Sequence, residues 1–373
     1  MSQAPEHKRP FPRSAVASML GRKPGKVTPQ RSAGLIRLSH NESCYGPSPK
    51  AVAAYRSVAD ILHRYPDGSQ YELRRSLAEV HKLDSGRIIC GNGSEELLGL
   101  LMRAYLGEAD GLLLTENHFI MCSISGRTQG ANISQAPADD YRINVAALLE
   151  RISAGTRMVI IANPNVPAGT CLTGEEIEEL HNGLPADVLL VIDGAYMEYA
   201  APALAADCID LIDGSENVVM TRTFSKIYGL AGLRIGWAYC PTHVVEVLQC
   251  IRSPFNANAA AFAAACAAVR DVEYTRSIRE KNANSLRRIS VALRASGIHV
   301  IPSMTNFYLI GFAGREQKNA TAAADYLRAR NILPGPLIRS GKQETLRISV
   351  GNDTENDAVI TALTEYMKQP ELG

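Results

Sequence analysis

One lysine, Lys226, stands in the segment "MTRTFSKIYGLAGLRIGW" (220–237) among small, aromatic and aliphatic residues. A lysine amine in such surroundings can act as a nucleophile and form a Schiff base with an aldehyde. Thr223, Ser225 and Arg234 flank it, and all three are types that bind phosphate. Two earlier stretches carry related chemistry. "GNGSEE" (91–96) falls between a strand-like run and a helix-like one. Its glycines let the backbone approach an anion, and the N–H groups opening the helix, with the Ser94 hydroxyl, can hold it. The same pattern also suits an ordinary tight turn. "DVLLVIDGAY" (187–196) ends an apolar run in Asp193. A carboxylate there either caps the following helix or holds a positive charge at a ligand site. An amine, an acid and an anion cradle are together what pyridoxal phosphate demands. Its aldehyde needs the amine, its pyridinium nitrogen the acid, and its phosphate the N–H groups, hydroxyls and an arginine.

These groups need a frame that brings them to one edge, and the chain reads as one. From about residue 70 to 245, short apolar runs ("RIIC", "DGLLLTE", "RMVIIANP", "DVLLVIDGAY", "NVVMTRTFS", "LRIGWAYC") alternate with amphipathic segments such as "YELRRSLAEVHKL" and "TGEEIEELHNGL". Buried strands alternating with helices predict an α/β fold, a large doubly wound and mostly parallel sheet. After about 250 the chain turns helical, and "NFYLIGF", "TLRISVG" and a closing helix "TENDAVITALTEYMKQ" make a smaller αβ unit. The expected division is an N-terminal arm over 1–45, a large cofactor-binding domain over 46–250, a linking helix over 251–285 and a small C-terminal domain over 286–373.

Bulk composition narrows the function. The chain has 373 residues, 46% hydrophobic and 21% charged, with 39 basic against 38 acidic side chains. A net charge of +1 argues against a nucleic-acid or polybasic membrane surface. The first twenty residues have no apolar signal core, and no stretch reaches the ~18 apolar residues of a membrane span. None of the eight cysteines forms a CxxC pair or lies at metal-ligand spacing from a histidine. Buried reduced thiols, no metal and a cytoplasmic location are therefore expected.

The ordered set "HNESCYGPSPK", "HRYPDGSQYELRRSLAE", "GNGSEELLGLL", "ANPNVPAGT", "VIDGAY", "RTFSKIYGLAGLRIGW", "SPFNANAAA" and "TLRISVG" resembles the fold-type I pyridoxal-phosphate aminotransferases, most nearly the histidinol-phosphate aminotransferase family, from about Gly34 to the last helix. The resemblance implies roles residue by residue. Lys226 would hold the cofactor and shuttle a proton; Asp193 would pair with the pyridine nitrogen; Tyr196 would hydrogen-bond the phenolic oxygen. Gly93, Ser94, Ser225 and Arg234, with Thr223 nearby, would hold the phosphate, helped by Tyr65 from a partner subunit. Phe119 would stack on the ring. Arg347 would clamp a substrate carboxylate, and Tyr45, with Phe255 from the partner, would line the substrate pocket. A homodimer is implied, acting on a small amino donor and a keto acceptor.

The chain departs from that pattern in places. The family usually reads N-P-N-N-P-T-G where this chain has "NPNVPAG" (163–169), so Val166 replaces an amide that donates to the phenolic oxygen. Losing a hydrogen bond to a charged acceptor costs roughly 1.5–3 kcal/mol, which raises the expected pKa of the lysine–cofactor Schiff base unless Asn165 compensates. Pro334 occupies the place of a phosphate-binding arginine, with Arg339 close enough in sequence to substitute. Gly194 stands where many relatives have Glu, and the usual N-E-N-P reads Asn41-Glu42-Ser43-Cys44. Transamination is the expected activity, with histidinol phosphate or an aromatic amino acid as donor. A decarboxylase, lyase or oxidase on the same scaffold, or a non-catalytic cofactor-binding relative, is the alternative.

Overall fold

The structure is a computed structural model that describes residues 10–19, 34–200, 209–312, 318–340 and 343–370. The strands are β1 (Ile36–Leu38), β2 (Ile88–Gly91), β3 (Gly111–Thr115), β4 (Asn132–Ala136), β5 (Ala138–Asp139), β6 (Arg142–Ile143), β7 (Thr156–Ala162), β8 (Leu189–Asp193), β9 (Val218–Thr223), β10 (Gly236–Tyr239), β11 (His299–Val300), β12 (Phe307–Gly311), β13 (Ile332–Pro334), β14 (Leu337–Ser340) and β15 (Gln343–Ser349). Seven of them form the large sheet, in the order β2-β10-β9-β8-β7-β3-β4. Only β10 runs antiparallel to its neighbours. β8 and β9 are buried at every position, because helices cover both faces, and this is why their sequences read as unbroken apolar runs rather than alternating ones.

One face packs Leu113, Val159, Leu190, Ile192 and Met220 against the helices 71–81 and 259–270. The other packs Leu112, Met158, Val191 and Val219 against Ser94–Tyr105 and Thr242–Ile251. An alanine-rich stretch forms the helix Ala259–Arg270, with Ala261, Ala264, Ala265 and Ala268 buried, so its small side chains allow close approach to the core. At the sheet edge, the Gln70 side-chain amide takes the place of a neighbouring strand. It accepts from Cys90 N and donates to Cys90 O, both at 2.8 Å, which satisfies backbone groups that an edge strand otherwise exposes.

The smaller unit is a four-stranded antiparallel sheet, β11-β12-β15-β14, packed on the helices Ala320–Arg328 and Asp353–Lys368 and on part of Val272–Ala295. Two features differ from the sequence-based division. β1 pairs in parallel with β13, Leu38 opposite Pro334, and Leu38 joins the small unit's core, so the end of the expected arm belongs to the C-terminal unit. The expected linking helix is two helices: Ala259–Arg270 lies in the large core, and the 24-residue helix Val272–Ala295 crosses into the small unit, past position 285. No helix among the described residues is long and apolar enough to cross a membrane. Cys90, Cys122 and Cys240 are buried free thiols, whereas Cys44, Cys171 and Cys266 are half-buried and Cys250 is exposed. Cys208 lies outside the described residues.

Candidate active site

Sheet register assembles the site. Gly91 at the end of β2, Gly236 at the start of β10 and Thr223 at the end of β9 lie opposite one another on adjacent strands, and Asp193 at the end of β8 lies opposite Thr221. Positions far apart in the chain therefore meet at one edge, outside the carboxyl ends of the parallel strands, where such sheets bind ligands. A cleft of about 280 Å³ opens there, lined by Ser94, Phe119, Asp193, Tyr196, Thr223, Ser225, Lys226 and Arg234, together with His40, Glu42, Glu95, Val166, Ala195 and Ala231.

The anion cradle is built on two glycines. Gly93 has φ +86°, and a Cβ on it would stand 2.6 Å from Arg234 Nη2. A Cβ on Gly236 would stand 2.4 Å from Ser94 N. Only at these bare positions can the arginine and the start of the helix Ser94–Tyr105 come together. Arg234 is itself in the left-handed region at φ 54°, and its Nη1 donates to Ser225 Oγ at 3.2 Å. The Thr223 hydroxyl accepts from Ser225 N at 3.1 Å. Glu96 fixes the turn from the far side, accepting from Asn92 N at 2.5 Å and from Asn256 Nδ2 at 2.8 Å. Helix N–H groups, two hydroxyls and a guanidinium thus converge on one spot.

Asp193 is buried, with a relative exposure of 6%, and its Oδ1 accepts from Thr221 Oγ1 at 3.1 Å. Burial raises its pKa from 3.8 to about 6, against smaller opposing contributions from the Thr221 hydroxyl, the Ala195 N–H and the Lys226 charge. A carboxylate placed this way lacks a strong cationic partner and favours one. Half-buried Lys226 reaches His40 O at 3.4 Å and lies 5.4 Å from the centre of the Tyr196 ring. The Tyr196 hydroxyl accepts from Asn41 Nδ2 at 2.9 Å, and its ring meets Phe307 edge-on at 5.2 Å.

The remaining expected residues divide. Arg347 does not line the cleft but lies close by. Its guanidinium sits 5.7 Å from the Phe307 ring centre, Nη2 donates to Ser39 O at 2.9 Å, and its buried Nε has no partner. Burial lowers its pKa. Arg339 is not brought to the cleft. It lies on β14 directly opposite Glu344, bonds that carboxylate at 2.9 Å and leaves its side chain 81% exposed, so the edge strand turns it to solvent. Tyr45 is also absent from this chain's cleft: it packs beside the helix Val272–Ala295, with its ring 5.4 Å from Lys281 Nζ and its carbonyl accepting from the Tyr274 hydroxyl at 3.1 Å. Tyr65 and Phe255 stack on each other at 4.7 Å, 82% and 43% exposed, away from this chain's own cleft. Asn165 does not compensate for Val166, because its Nδ2 turns to Tyr141 O at 3.4 Å. Gly194 leaves room for Arg222, whose Cδ would stand 3.0 Å from a Cβ there, and Arg222 pairs with buried Glu198 at 3.0 Å. His40, Glu42 and Glu95 were not singled out as site residues; the altered "HNES" segment was the signal available for the first two.

Pyridoxal phosphate fits these residues. The cradle that a Cβ would fill suits its phosphate, the buried acid suits a protonated ring nitrogen, and Lys226 shares the cleft with both. Comparison with known proteins agrees. The sequence profile of the family described as "Aminotransferase class I and II" matches residues 33–363. The chain is 42% identical over 333 residues to a histidinol-phosphate aminotransferase of Paramagnetospirillum magneticum, covering 89% of this chain and 92% of that one. It is 43% identical over 334 residues to one of Rhodospirillum centenum, covering 90% and 92%. The crystal structure of histidinol-phosphate aminotransferase from Sinorhizobium meliloti in complex with pyridoxal-5'-phosphate superposes with a TM-score of 0.83 at 30% identity, covering 89% of this chain and 91% of that one.

Proposed function

This chain belongs to the class I and II aminotransferase family, a pyridoxal-phosphate-dependent transaminase, and from that premise we propose that it moves the amino group of histidinol phosphate to 2-oxoglutarate. The observation that carries the reading is Lys226 in one cleft with Asp193, Tyr196 and the Gly93–Ser94–Arg234 cradle. The donor follows the relatives, which bear that activity in their names at 42–43% identity over about nine-tenths of the chain.

Pyridoxal phosphate, when bound, supplies an aldehyde for amines and a ring that withdraws electrons from the carbon beside the nitrogen. The chain's own groups do the rest. Ser94, Ser225 and Arg234 would hold the phosphate, with the Thr223 hydroxyl fixing the Ser225 backbone. Asp193 stays ionised once a protonated nitrogen faces it, since an opposite charge offsets the burial that raises its pKa. Tyr196 would donate a hydrogen bond from its hydroxyl, and Phe119 would pack along one side of the ring. Lys226 Nζ is the amine that would hold the aldehyde group, and it would also hold the proton taken from the substrate's α-carbon. Arg347, with its buried Nε unpartnered, receives an anionic group of the substrate in bidentate fashion.

A second donor class, aromatic amino acids, draws support from the small unit. Pro334 carries no charge, and Arg339 is paired with Glu344 and faces solvent, so neither of these two positions offers a free cation to a substrate phosphate. We also propose a cytoplasmic homodimer. The exposed stack of Tyr65 and Phe255, beside exposed Tyr55, Ile61, Leu62 and Tyr71, suits burial against a second copy, with Tyr65 reaching the partner's cradle. A donor screen tests the reading: holoenzyme is mixed with histidinol phosphate, aromatic amino acids or glutamate, and the cofactor's absorbance is followed. Histidinol phosphate should change the spectrum and 2-oxoglutarate should restore it. Release of carbon dioxide or peroxide instead would assign a decarboxylase or oxidase.

A further inference from the structure

We propose that Asn41 is a positioning residue of the cofactor site, directing the Tyr196 hydroxyl proton into the cleft. The inference rests on the reading that this cleft holds pyridoxal phosphate. Asn41 is buried, with 2% exposure, and adopts φ 56°. Four bonds pin it. Its N–H donates to Ser349 Oγ at 2.9 Å, its Oδ1 accepts from the same hydroxyl at 2.9 Å, its carbonyl accepts from Asn306 Nδ2 at 3.0 Å, and its Nδ2 donates to the Tyr196 hydroxyl at 2.9 Å.

The bonds form one chain of donors. The Ser349 hydroxyl donates to Asn41 Oδ1, and the other end of that amide, a donor only, faces Tyr196. The phenol oxygen therefore accepts on its inner side and has its single proton free for the cleft. Accepting one hydrogen bond also strengthens the one donated. The arrangement matters here because Val166, on the cleft wall, offers no donor, and the Asn165 amide is turned to Tyr141. Ser349 closes β15 and Asn306 precedes β12, so the small unit orients a phenol carried by the large one.

A double-mutant cycle tests this, with Asn41→Gly, Tyr196→Phe and the pair. Glycine accepts φ 56° without strain, so the substitution removes the amide while sparing the backbone. Apoprotein is titrated with pyridoxal phosphate by intrinsic fluorescence, and the loaded protein's absorbance is followed against pH. Asn41→Gly should weaken cofactor binding about three- to tenfold, the worth of one hydrogen bond, and raise the pH midpoint of the spectrum. In the Tyr196→Phe background it should change neither. Ser349→Ala, which releases the amide, should act in the same direction and also be silent in that background. Unchanged binding and midpoint in Asn41→Gly and Ser349→Ala, or equal effects in both backgrounds, would overturn the inference while leaving the cofactor reading intact. Failure of the unsubstituted protein to bind pyridoxal phosphate would overturn both.

Discussion

Replacing Asp193 by Asn separates the folding role of this carboxyl from its binding role, because the two have opposite signs. Burial raises its pKa from 3.8 to about 6, roughly two pH units, and at ~1.4 kcal/mol per unit this is a penalty of about 3 kcal/mol on the folded apoprotein at neutral pH. The folded-state value lies above the unfolded one, so the penalty is complete above pH 6. It shrinks as pH falls through about 6 towards 3.8 and is absent below that. Asparagine is nearly isosteric, can still accept from Thr221 and the Ala195 N–H, and carries no charge. Apo Asp193→Asn should therefore be more stable than the parent at pH 7.5, by up to about 3 kcal/mol, and the gain should shrink to about 1 kcal/mol at pH 4.5. Urea unfolding at fixed protein concentration measures this. With pyridoxal phosphate the order should reverse, because the parent gains an ion pair that the variant cannot make, and cofactor affinity should fall by at least tenfold. An apo variant no more stable than the parent would refute the view of Asp193 as a buried acid lacking a strong cationic partner. Unchanged affinity would refute its pairing with the ring nitrogen.

Other substitutions probe the surroundings. Gly93→Ala combines φ +86° with a Cβ 2.6 Å from Arg234 Nη2, so it should cost about 1–3 kcal/mol of strain and weaken cofactor binding at least tenfold by equilibrium titration. Arg339→Ala, at a pair 81% exposed on the arginine side, should leave the KM for every donor within about twofold, since exposed pairs contribute little. Glu198→Gln strips the charge from a pair 6% exposed on both sides and should destabilise the fold by about 3 kcal/mol in urea unfolding. Arg347→Ala should raise the KM for 2-oxoglutarate at least tenfold in steady-state kinetics, with cofactor affinity unchanged.

The residues legible in the sequence are those whose chemistry is local. Lys226 stood out because a lysine is anomalous in an apolar run, and Asp193 because an acid ended one. The cradle was legible in Gly93 and Ser94 as a glycine turn opening a helix. What stayed hidden depends on partners distant in sequence or on side-chain direction. Arg339 is a plausible cation by proximity, but its register opposite Glu344 on an edge hairpin turns it outward. Tyr45 follows a helix more than two hundred residues away. The pairing of β1 with β13 spans almost the whole chain, and three residues of strand carry no local signal strong enough to announce it. Asn41 was visible only as part of an altered motif, because its role lies in Tyr196, Ser349 and Asn306, none of which is near it in sequence.

The same contrast bears on the positions where the sequence departs from the pattern its resemblance implies. The proposed cofactor groups sit on or beside strand ends locked in register: Gly236 lies between Gly91 and Thr223, opposite each, and Asp193 is fixed opposite Thr221. A change there disturbs several strands at once, since interiors packed at this density transmit a misfit. Arg339 belongs to β14, an edge strand of the small sheet among the described residues, where a substitution alters one side chain without moving a strand, whereas Pro334 is buried on β13 opposite Leu38. On the proposed reading, cofactor binding rests on backbone geometry, and donor choice on side chains such as Arg339. Val166 lies between these cases: it lines the cleft, yet its side chain takes no part in the register. On the proposed reading, Tyr196 remains as a donor there, supported from behind by Asn41, and the double-mutant cycle measures how far that support substitutes for the missing amide.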